Sequence, residues 1–238
     1  MVEAVNNSVT NPNDIAIVGM AAHLPGAKSI VEYWENLRDG IESIRHLSEE
    51  DLVAAGETPD RLCHRDYVPA AAPLDGFEMF DGEFFGFGPK ESAILDPQHR
   101  QFMEVAWEAL ENAGHMPERF EGPIGVFAGC GMGSYFYFNI CSNPDLVEST
   151  GMFLLRHTGN DKDFLATRVS HVLDLKGPSI NLQTACSTSL VATHLAPAHP
   201  GHALLQRRHP RRQPLARRRH VPGVAQLPAR PAHLGREE

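Results

Sequence analysis

The feature that most constrains the fold of this chain is a run of small residues between a strand pattern and a helix pattern, within Gly177–Leu190 (GPSINLQTACSTSL). After a Gly-Pro break, polar and apolar residues alternate, which predicts a strand at Ser179–Gln183 with Ile180 and Leu182 on one face. Only small residues follow, until apolar residues suited to a helix resume at Leu190. The chain is therefore predicted to turn sharply from a strand into a helix.

One cysteine, Cys186, lies in this turn, close to the start of the predicted helix. Unpaired backbone N–H groups and the positive end of the helix dipole favour a thiolate there and should lower the thiol pKa from its reference value of about 8.5. The same N–H groups can stabilise an oxyanion, and the small neighbours allow a thioester to approach, as at a nucleophile elbow. The local pattern leaves two interpretations open: a catalytic nucleophile, or one more buried cysteine.

Apolar patterns elsewhere predict an α/β architecture. Ile15–Met20 is typical of a short buried strand, and Ser29–Arg38 of a helix that Asp39-Gly40 ends. Region 41–73 mixes charge, Pro and Gly, which indicates a surface excursion with one short helix near Glu49–Ala55.

The clearest helix is capped by Asp96, has Pro97 in its first turn and stops at Gly114. Apolar residues spaced three and four apart predict one buried stripe, so that Phe102 belongs to the core rather than to a cofactor site. The stripe comprises Phe102, Val105, Ala106, Ala109, Leu110 and Ala113.

The segment that follows contains a predicted strand, a loop and a second helix. Ile124–Gly129 is typical of a buried strand, and the loop Gly131–Asn139 is either a pocket wall or a contact with a neighbouring subunit. Asp163–Leu175 predicts an amphipathic helix that delivers the chain to the strand before Cys186. Its apolar side carries Leu165, Val169, Val172 and Leu173.

The net charge of −9 conceals a division within the chain. Residues 194–238 hold nine Arg and two Glu, a balance of +7, so residues 1–193 hold 12 basic and 28 acidic residues, a balance of −16. The basic part also carries seven of the 18 prolines and no aromatic residue, which gives it no means of building a packed core. We expect a flexible segment at 1–13 and an Arg/Pro-rich tail at 197–238 that is disordered or the product of a frameshift.

The alternative interpretation of the tail is a nucleic-acid-binding arm, because Arg-rich segments neutralise phosphates. No aromatic side chain interleaves with the arginines, so we expect no specific nucleic-acid partner. Pro197 and Pro200 should end the helix that follows Cys186 within three turns.

Cysteine spacing and the absence of long apolar runs argue against a metalloprotein, a disulfide-bonded protein and a membrane protein. The four cysteines, at 63, 130, 141 and 186, form no CxxC pair and no Cys/His cluster, which indicates reduced thiols and gives no support for a metal site. No Lys or Arg precedes Lys28 and no apolar run is long enough to span a bilayer, so a cytoplasmic protein with no membrane partner is expected.

Several segments follow one another in an order that adds a further clue. They are DIAIVGM from Asp14, LPG from Leu24, YWENL from Tyr33, FDGEFFG from Phe80, LDPQHR from Leu95, VAWEALENAG from Val105 and GPSINLQTACSTSLVATHLA from Gly177. Together they resemble the β-ketoacyl synthases, specifically the ketosynthase domains of modular type I polyketide synthases. The resemblance covers residues 14–196.

This resemblance implies a thiolase-like fold, in which two α/β halves stack into αβαβα layers, and the present chain would supply the N-terminal half only. It implies that subunits pair as a homodimer through the strand Ser179–Gln183. It implies that Cys186 takes an acyl group from a carrier protein and condenses it decarboxylatively with a malonyl-type extender. The partner is then an acyl carrier protein, which presents phosphopantetheine, and no cofactor binds the chain directly.

The family's decarboxylation step uses two histidines, in an HGTGT-like motif and a later Gly-His motif, and this sequence contains neither motif. His157, His171 and His194 match neither motif and receive no catalytic role. We therefore expect that this chain alone does not complete condensation. Because the missing half would leave the inner layer of the first sheet exposed, we also expect marginal solubility. A catalytically dead remnant that only dimerises or docks with carrier proteins is the remaining alternative.

Overall fold

A parallel strand pair and the helices packed on it organise the computed structural model, which describes residues 15–198. The predicted flexible segment 1–13 and the tail from residue 199 onward lie outside the described residues. The strands are β1 (Arg45–His46), β2 (Ala70–Ala71), β3 (Val126–Ala128) and β4 (Ser179–Asn181). β3 and β4 pair in parallel, with Val126 opposite Ser179 and Ala128 opposite Asn181.

The helices in residues 15–198 precede, connect and follow these two strands. They are α1 (Ile30–Asp39), α2 (Glu49–Ala54), α3 (Pro59–Leu62), α4 (Pro89–Ile94), α5 (Pro97–Ala113), α6 (Pro144–Thr150), α7 (Met152–Gly159), α8 (Leu165–Val172) and α9 (Thr188–Leu195). α8 packs on both β3 and β4, and α9 packs on β3. The connection from β3 to β4 therefore crosses over through α6, α7 and α8, as a parallel pair requires.

Local capping determines the ends of the two helices that the sequence predicts most clearly. The Ser29 hydroxyl accepts the Glu32 N–H at the start of α1, and α1 ends at Gly40 with a left-handed φ of 69°. The Asp96 carboxylate accepts the Gln98 N–H at 2.8 Å at the start of α5, which ends at Gly114 with φ 71°. Both predictions are confirmed.

The main core lies between α5, α8 and the parallel strands. Leu165, Val169 and Leu173 are buried in it, as the amphipathic pattern predicts, although α8 is shorter than the predicted Asp163–Leu175. The buried members of the main core are Phe80, Leu95, Met103, Val126, Ala128, Leu165, Ala166, Val169 and Leu173. This core holds the ends of β3 and β4 in place.

The prediction of a buried strand at Ile15–Met20 is wrong. No strand forms there, and Ile17 is 81% exposed. The segment lies along α5 instead: the Met20 N–H donates to Asn112 Oδ1 at 3.0 Å, and Gly19 comes so close that a Cβ would lie 2.6 Å from the Ala109 carbonyl oxygen. A strand needs a hydrogen-bonded neighbour, and no strand in residues 15–198 pairs with this segment.

The predicted stripe of α5 is also corrected. Phe102 and the other five stripe residues are only half-buried, whereas the fully buried residues of the helix are His99, Arg100 and Met103. The helix is thus rotated relative to its apolar pattern, because a buried histidine and a buried arginine occupy the innermost face. Apolar periodicity alone does not reveal such a face.

Two loop regions contain more regular structure than the sequence predicts. Phe136–Ile140 forms a helical turn within the predicted loop, and its Phe136 and Ile140 pack with Leu155 of α7 in a second buried cluster. Region 41–73 contains the predicted short helix as α2, and also α3 and the antiparallel pair β1–β2. In the stretch from residue 15 to 198, no helix has the length and apolar character needed to cross a membrane.

Candidate functional site

Cys186 lies in the turn that joins β4 to α9. The turn passes through Ala185, whose φ of 52° is left-handed, a conformation that costs a residue with a Cβ about 1–2 kcal/mol. Ala185 is also the first residue of a tight helical turn, Ala185–Ser187, and α9 begins directly after it at Thr188. The sharp strand-to-helix turn predicted here is confirmed. Cys186 is exposed, so the interpretation of a buried cysteine is wrong.

Side-chain hydroxyls fasten this turn from within. Thr188 Oγ1 accepts the Thr184 N–H at 3.0 Å and donates to the Ala185 carbonyl at 2.8 Å. Ser187 Oγ donates to the Thr184 carbonyl at 2.8 Å. The backbone on both sides of Cys186 is therefore held by hydrogen bonds that compensate for the left-handed Ala185.

The turn fits closely against the end of β3. A Cβ at Gly129 would lie 2.2 Å from the Leu182 carbonyl oxygen and 2.4 Å from Thr188 Cγ2. Only glycine permits this approach, because a Cβ at these distances would overlap with the neighbouring atoms. The close contact brings the loop after β3 alongside Cys186.

A cleft of about 1110 Å³ lies beside Cys186. Its walls come from the loop after β3, with Cys130 and Met132, from α9, with Ala192, and from Phe102 of α5. Phe102 packs against the main core, as predicted, and also lines this cleft. A contribution of α5 to the cleft was not foreseen, because periodicity reports burial and not what the helix faces.

The first turn of α5 supports the wall formed by the loop after β3. Gln98 Oε1 accepts the Gly131 N–H at 2.7 Å, and Gln98 Nε2 donates to the Met132 carbonyl at 3.3 Å. Asp96, itself buried, holds the Gln98 backbone. The LDPQ segment carried the family resemblance, yet sequence reasoning assigned Gln98 no role because its partners lie 33 and 34 residues away.

The first turn of α5 also carries two buried basic side chains, His99 and Arg100, whose pKa values burial lowers. Burial, together with the nearby charge of Arg168, lowers the pKa of His99 to about 4, against a weaker opposing effect of Asp161. Burial likewise lowers the pKa of Arg100, which donates to the Glu78 carbonyl at 3.2 Å and lies over the Tyr135 ring. None of these groups lines the cleft, so we assign them to the support of the site.

The second thiol in the cleft differs from Cys186 in its surroundings. Cys130 is half-buried, and burial and the charge of Asp96 raise the pKa of its thiol, whereas Lys162 opposes that rise. The raised pKa favours the neutral thiol, which is a poor nucleophile.

The histidines considered from the sequence lie away from the cleft. His157 is half-buried and close to Asp161 and the ring of Phe153, whereas His171 and His194 are exposed. None of the three is among the residues that line the cleft within the described chain.

The chain is thus an α/β protein with an elbow-type site. Its parallel strand pair leads to a sharp strand-to-helix turn, and this turn presents an exposed cysteine beside a large cleft. Residues 12–199 match the family "Beta-ketoacyl synthase, N-terminal domain", and the chain belongs to that family. The resemblance inferred from the ordered segments is thus confirmed.

The similar proteins are polyketide synthases. The chain is 50% identical over 189 residues to a phenolphthiocerol/phthiocerol polyketide synthase polypeptide of Mycobacterium tuberculosis, covering 77% of this chain and 13% of the relative. It is 37% identical over 187 residues to pikromycin polyketide synthase component PikAII of Streptomyces venezuelae, covering 76% of this chain and 5% of the relative. The chain therefore spans only a small part of these relatives.

Solved ketosynthases share the fold. Ketosynthase twelve of the bacillaene polyketide synthase in Bacillus amyloliquefaciens matches with a TM-score of 0.68 and 36% identity, over 79% of this chain and 32% of that chain. The oxazolomycin ketosynthase domain OzmH KS7 of Streptomyces albus matches with a TM-score of 0.64 and 32% identity, over 76% and 32%. The predicted thiolase-like fold, represented by its N-terminal part, is confirmed.

Proposed function

We propose that this chain carries the acyl-accepting site of a polyketide-type ketosynthase, with Cys186 as the nucleophile. The observation that carries the proposal is the exposed Cys186 thiol, which follows a left-handed Ala185 at the start of a helix and lines a cleft of about 1110 Å³. Membership of the β-ketoacyl synthase family supports the assignment.

In the proposed step, the Cys186 thiolate attacks the carbonyl carbon of an acyl thioester that a carrier protein presents on phosphopantetheine. The new C–S bond places the electron pair on the carbonyl oxygen, and backbone N–H groups at the start of the helix stabilise that oxyanion. Collapse of the intermediate breaks the bond to the phosphopantetheine sulfur, which leaves as a thiol after it takes a proton. The product is an acyl-enzyme thioester on Cys186.

The resemblance implies a second stage, in which a malonyl-type thioester loses CO2 and the resulting carbanion attacks the acyl-enzyme. That attack forms a β-ketoacyl thioester on the carrier protein and regenerates the Cys186 thiol, which gives ping-pong kinetics. Because this sequence lacks the two histidine motifs of the family, we propose acylation alone as the reaction of this chain.

We further propose that the chain pairs with a second copy through β4 and that the acyl donor is an acyl carrier protein. β3 occupies one edge of β4, and within residues 15–198 no strand occupies the other edge. An unpaired edge offers N–H and C=O groups to a strand of another subunit, which supports pairing there.

Intact-mass spectrometry after incubation with the acetyl thioester of N-acetylcysteamine tests the acylation. We expect one acetyl adduct on the native chain, no such adduct on Cys186→Ala, and an unchanged adduct on Cys63→Ala, which removes the other exposed cysteine. Adducts distributed over several cysteines, or none, would contradict the proposal and leave a catalytically dead remnant as the better description.

The alternative of a nucleic-acid-binding tail concerns residues outside those that the structure describes. If nucleic-acid binding by the tail and acylation of Cys186 are independent, deletion of residues 199–238 should leave the acylation intact. Loss of acylation on that deletion would contradict the assignment of the site to residues 15–198.

A further inference from the structure

The cleft beside Cys186 contains one charged side chain. Among the described residues that line it, Lys162 is the only Lys, Arg, Asp or Glu, and other polar lining residues, such as Gln183, Ser189 and Thr193, carry uncharged side chains. No carboxylate competes for the ammonium within the lining. The cleft therefore presents a single basic side chain in the same cavity as the candidate nucleophile.

The ammonium of Lys162 has no counter-ion in the described part of the chain. Of the two adjacent carboxylates, Asp161 lies 3.5 Å from Arg156 and 3.9 Å from His157, and the exposed Asp163 forms no ion pair with Lys162. Lys176, by contrast, forms an ion pair with Asp174. Lys162 is half-buried, and no acidic side chain within residues 15–198 forms an ion pair with it, so its ammonium can bind an anionic ligand.

The position of Lys162 follows from the fold and not from its place in the chain. It begins the tight turn Lys162–Phe164 just before α8, and α8 packs on β3 and β4. The Asn181 side chain at the end of β4 bonds to this region, since its Oδ1 accepts the Ala166 N–H at 2.9 Å and its Nδ2 donates to the Asp163 carbonyl at 2.5 Å. Lys162 and Cys130 line the same cleft, and the charge of Lys162 opposes the rise in the pKa of the Cys130 thiol.

We infer that Lys162 is an anion-binding point within the cleft, and that it holds a phosphate or carboxylate group of the incoming thioester. This inference rests on the proposed function. A thioester presented by a carrier protein has two such groups, the phosphate of phosphopantetheine and the free carboxylate of a malonyl-type unit. The lysine ammonium, a compact charge with three rotatable donors, can bind either.

A pair of alkylating reagents tests the charge without requiring acyl transfer. Iodoacetate and iodoacetamide transfer groups of similar size that differ in a negative charge, so the ratio of their rates at Cys186 reports attraction of anions to the cleft. We expect Lys162→Gln to lower this ratio by about fivefold and Lys162→Arg to preserve it, because a nearby cation is worth about 1 kcal/mol in a solvated site. Rates at each cysteine are measured by peptide mass spectrometry.

Two controls are available within the molecule. Lys176→Gln removes a lysine that does not line the cleft, and Cys63 is an exposed thiol outside the cleft. The ratio at Cys186 should be unchanged in Lys176→Gln, and the ratio at Cys63 should be unchanged in Lys162→Gln. An unchanged ratio at Cys186 in Lys162→Gln, or an equal fall in Lys176→Gln, would overturn the inference.

Two further measurements distinguish the sources of the anion. If the phosphate is bound, acetyl-phosphopantetheine should acylate Cys186 faster than the acetyl thioester of N-acetylcysteamine, and Lys162→Gln should abolish that advantage. If the carboxylate is bound, malonyl-N-acetylcysteamine should protect Cys186 from iodoacetamide in the native chain but not in Lys162→Gln. If Lys162→Gln removes neither the rate advantage of acetyl-phosphopantetheine nor the protection by malonyl-N-acetylcysteamine, the inference is overturned.

Failure of the proposed function gives a different result. If the native chain is not acylated by the neutral acetyl thioester, the acylation proposal fails, while the alkylation ratio still tests Lys162. If acylation occurs and the ratio does not depend on Lys162, only the anion-binding inference fails.

Discussion

Thr188 makes two hydrogen bonds to the backbone that precedes Cys186. Its hydroxyl bonds both to the Thr184 N–H and to the Ala185 carbonyl, on the two sides of the left-handed Ala185. A single side chain therefore compensates for an unfavourable backbone conformation next to the candidate nucleophile. Strain of this kind persists only where surrounding contacts hold it.

We predict that Thr188→Val lowers the free energy of unfolding by about 1–2 kcal/mol, because it removes two hydrogen bonds while preserving side-chain shape. The rate of alkylation of Cys186 relative to Cys63 should also change, since the turn loses its fastening. Urea unfolding and peptide mass spectrometry measure the two effects. Thr188→Ser, which keeps the hydroxyl, should behave like the native chain, and a loss as large as that of Thr188→Val would contradict the explanation.

His99 makes stability depend on pH. Its folded-state pKa of about 4 is below the ordinary value of 6.5, so between these values the unfolded chain binds a proton that the folded chain does not. Stability should therefore fall as the pH falls through this range, by up to about 3 kcal/mol. The carboxyls of the buried Asp96 and the half-buried Glu104, whose pKa values burial raises, act in the opposite direction.

The difference between the native chain and His99→Gln isolates this effect, because the carboxyls contribute to both. Urea unfolding at pH 7 and at pH 5 should show that the native chain loses more stability than the variant on acidification. Equal losses in the two proteins would show that His99 does not titrate as described.

At the scale of elements, the first turn of α5 supports the loop that forms one wall of the cleft. Gln98 bonds to Gly131 and Met132, and the aromatic ring of Phe102, one turn later, lines the same cleft. A helix that the sequence predicts as core thus also shapes the site.

We predict that Gln98→Leu increases the rate of amide hydrogen exchange at Gly131 at least tenfold, because this N–H loses its acceptor at 2.7 Å. Gln101→Leu is the matched control, since Gln101 lies on the same helix but bonds to the Met79 carbonyl and Glu104. Exchange at Gly131 should be unchanged in the control. Protection that survives Gln98→Leu would mean that the wall is held without this side chain.

At the scale of the whole molecule, large apolar side chains remain exposed in residues 15–198. Phe138 and Phe153 are 71% and 73% exposed, on the outer side of the cluster formed by Phe136, Ile140 and Leu155. Exposed apolar surface of this kind promotes association.

We therefore predict that the chain associates, with a mass in light scattering that exceeds that of the monomer and rises with concentration. The double substitution Phe138→Ser and Phe153→Ser should shift the distribution toward the monomer, because it removes two exposed rings without touching the buried cluster. A monodisperse monomer with a sharp, cooperative thermal transition would contradict the prediction.

Features that depend on short stretches of backbone could be predicted from the amino-acid sequence. Asp96-Pro97 and Gly114 begin and end α5, and Ser29 and Gly40 bound α1, because caps act between residues a few positions apart. The strand-to-helix turn at Cys186 is local in the same sense, and α9 ends at Leu195, before Pro197, as predicted.

The buried faces of the helices and the contacts between distant residues follow from the three-dimensional packing and could not be predicted from local patterns. Ile15–Met20 has the composition of a strand but no strand neighbour among the described residues, and His99 and Arg100 occupy an inner face that apolar periodicity assigns to other residues. Gln98 reaches Gly131, and Lys162 reaches the cleft of Cys186, across long separations in sequence. Such contacts depend on how helices pack on the β3–β4 pair, a non-local property that local patterns do not encode.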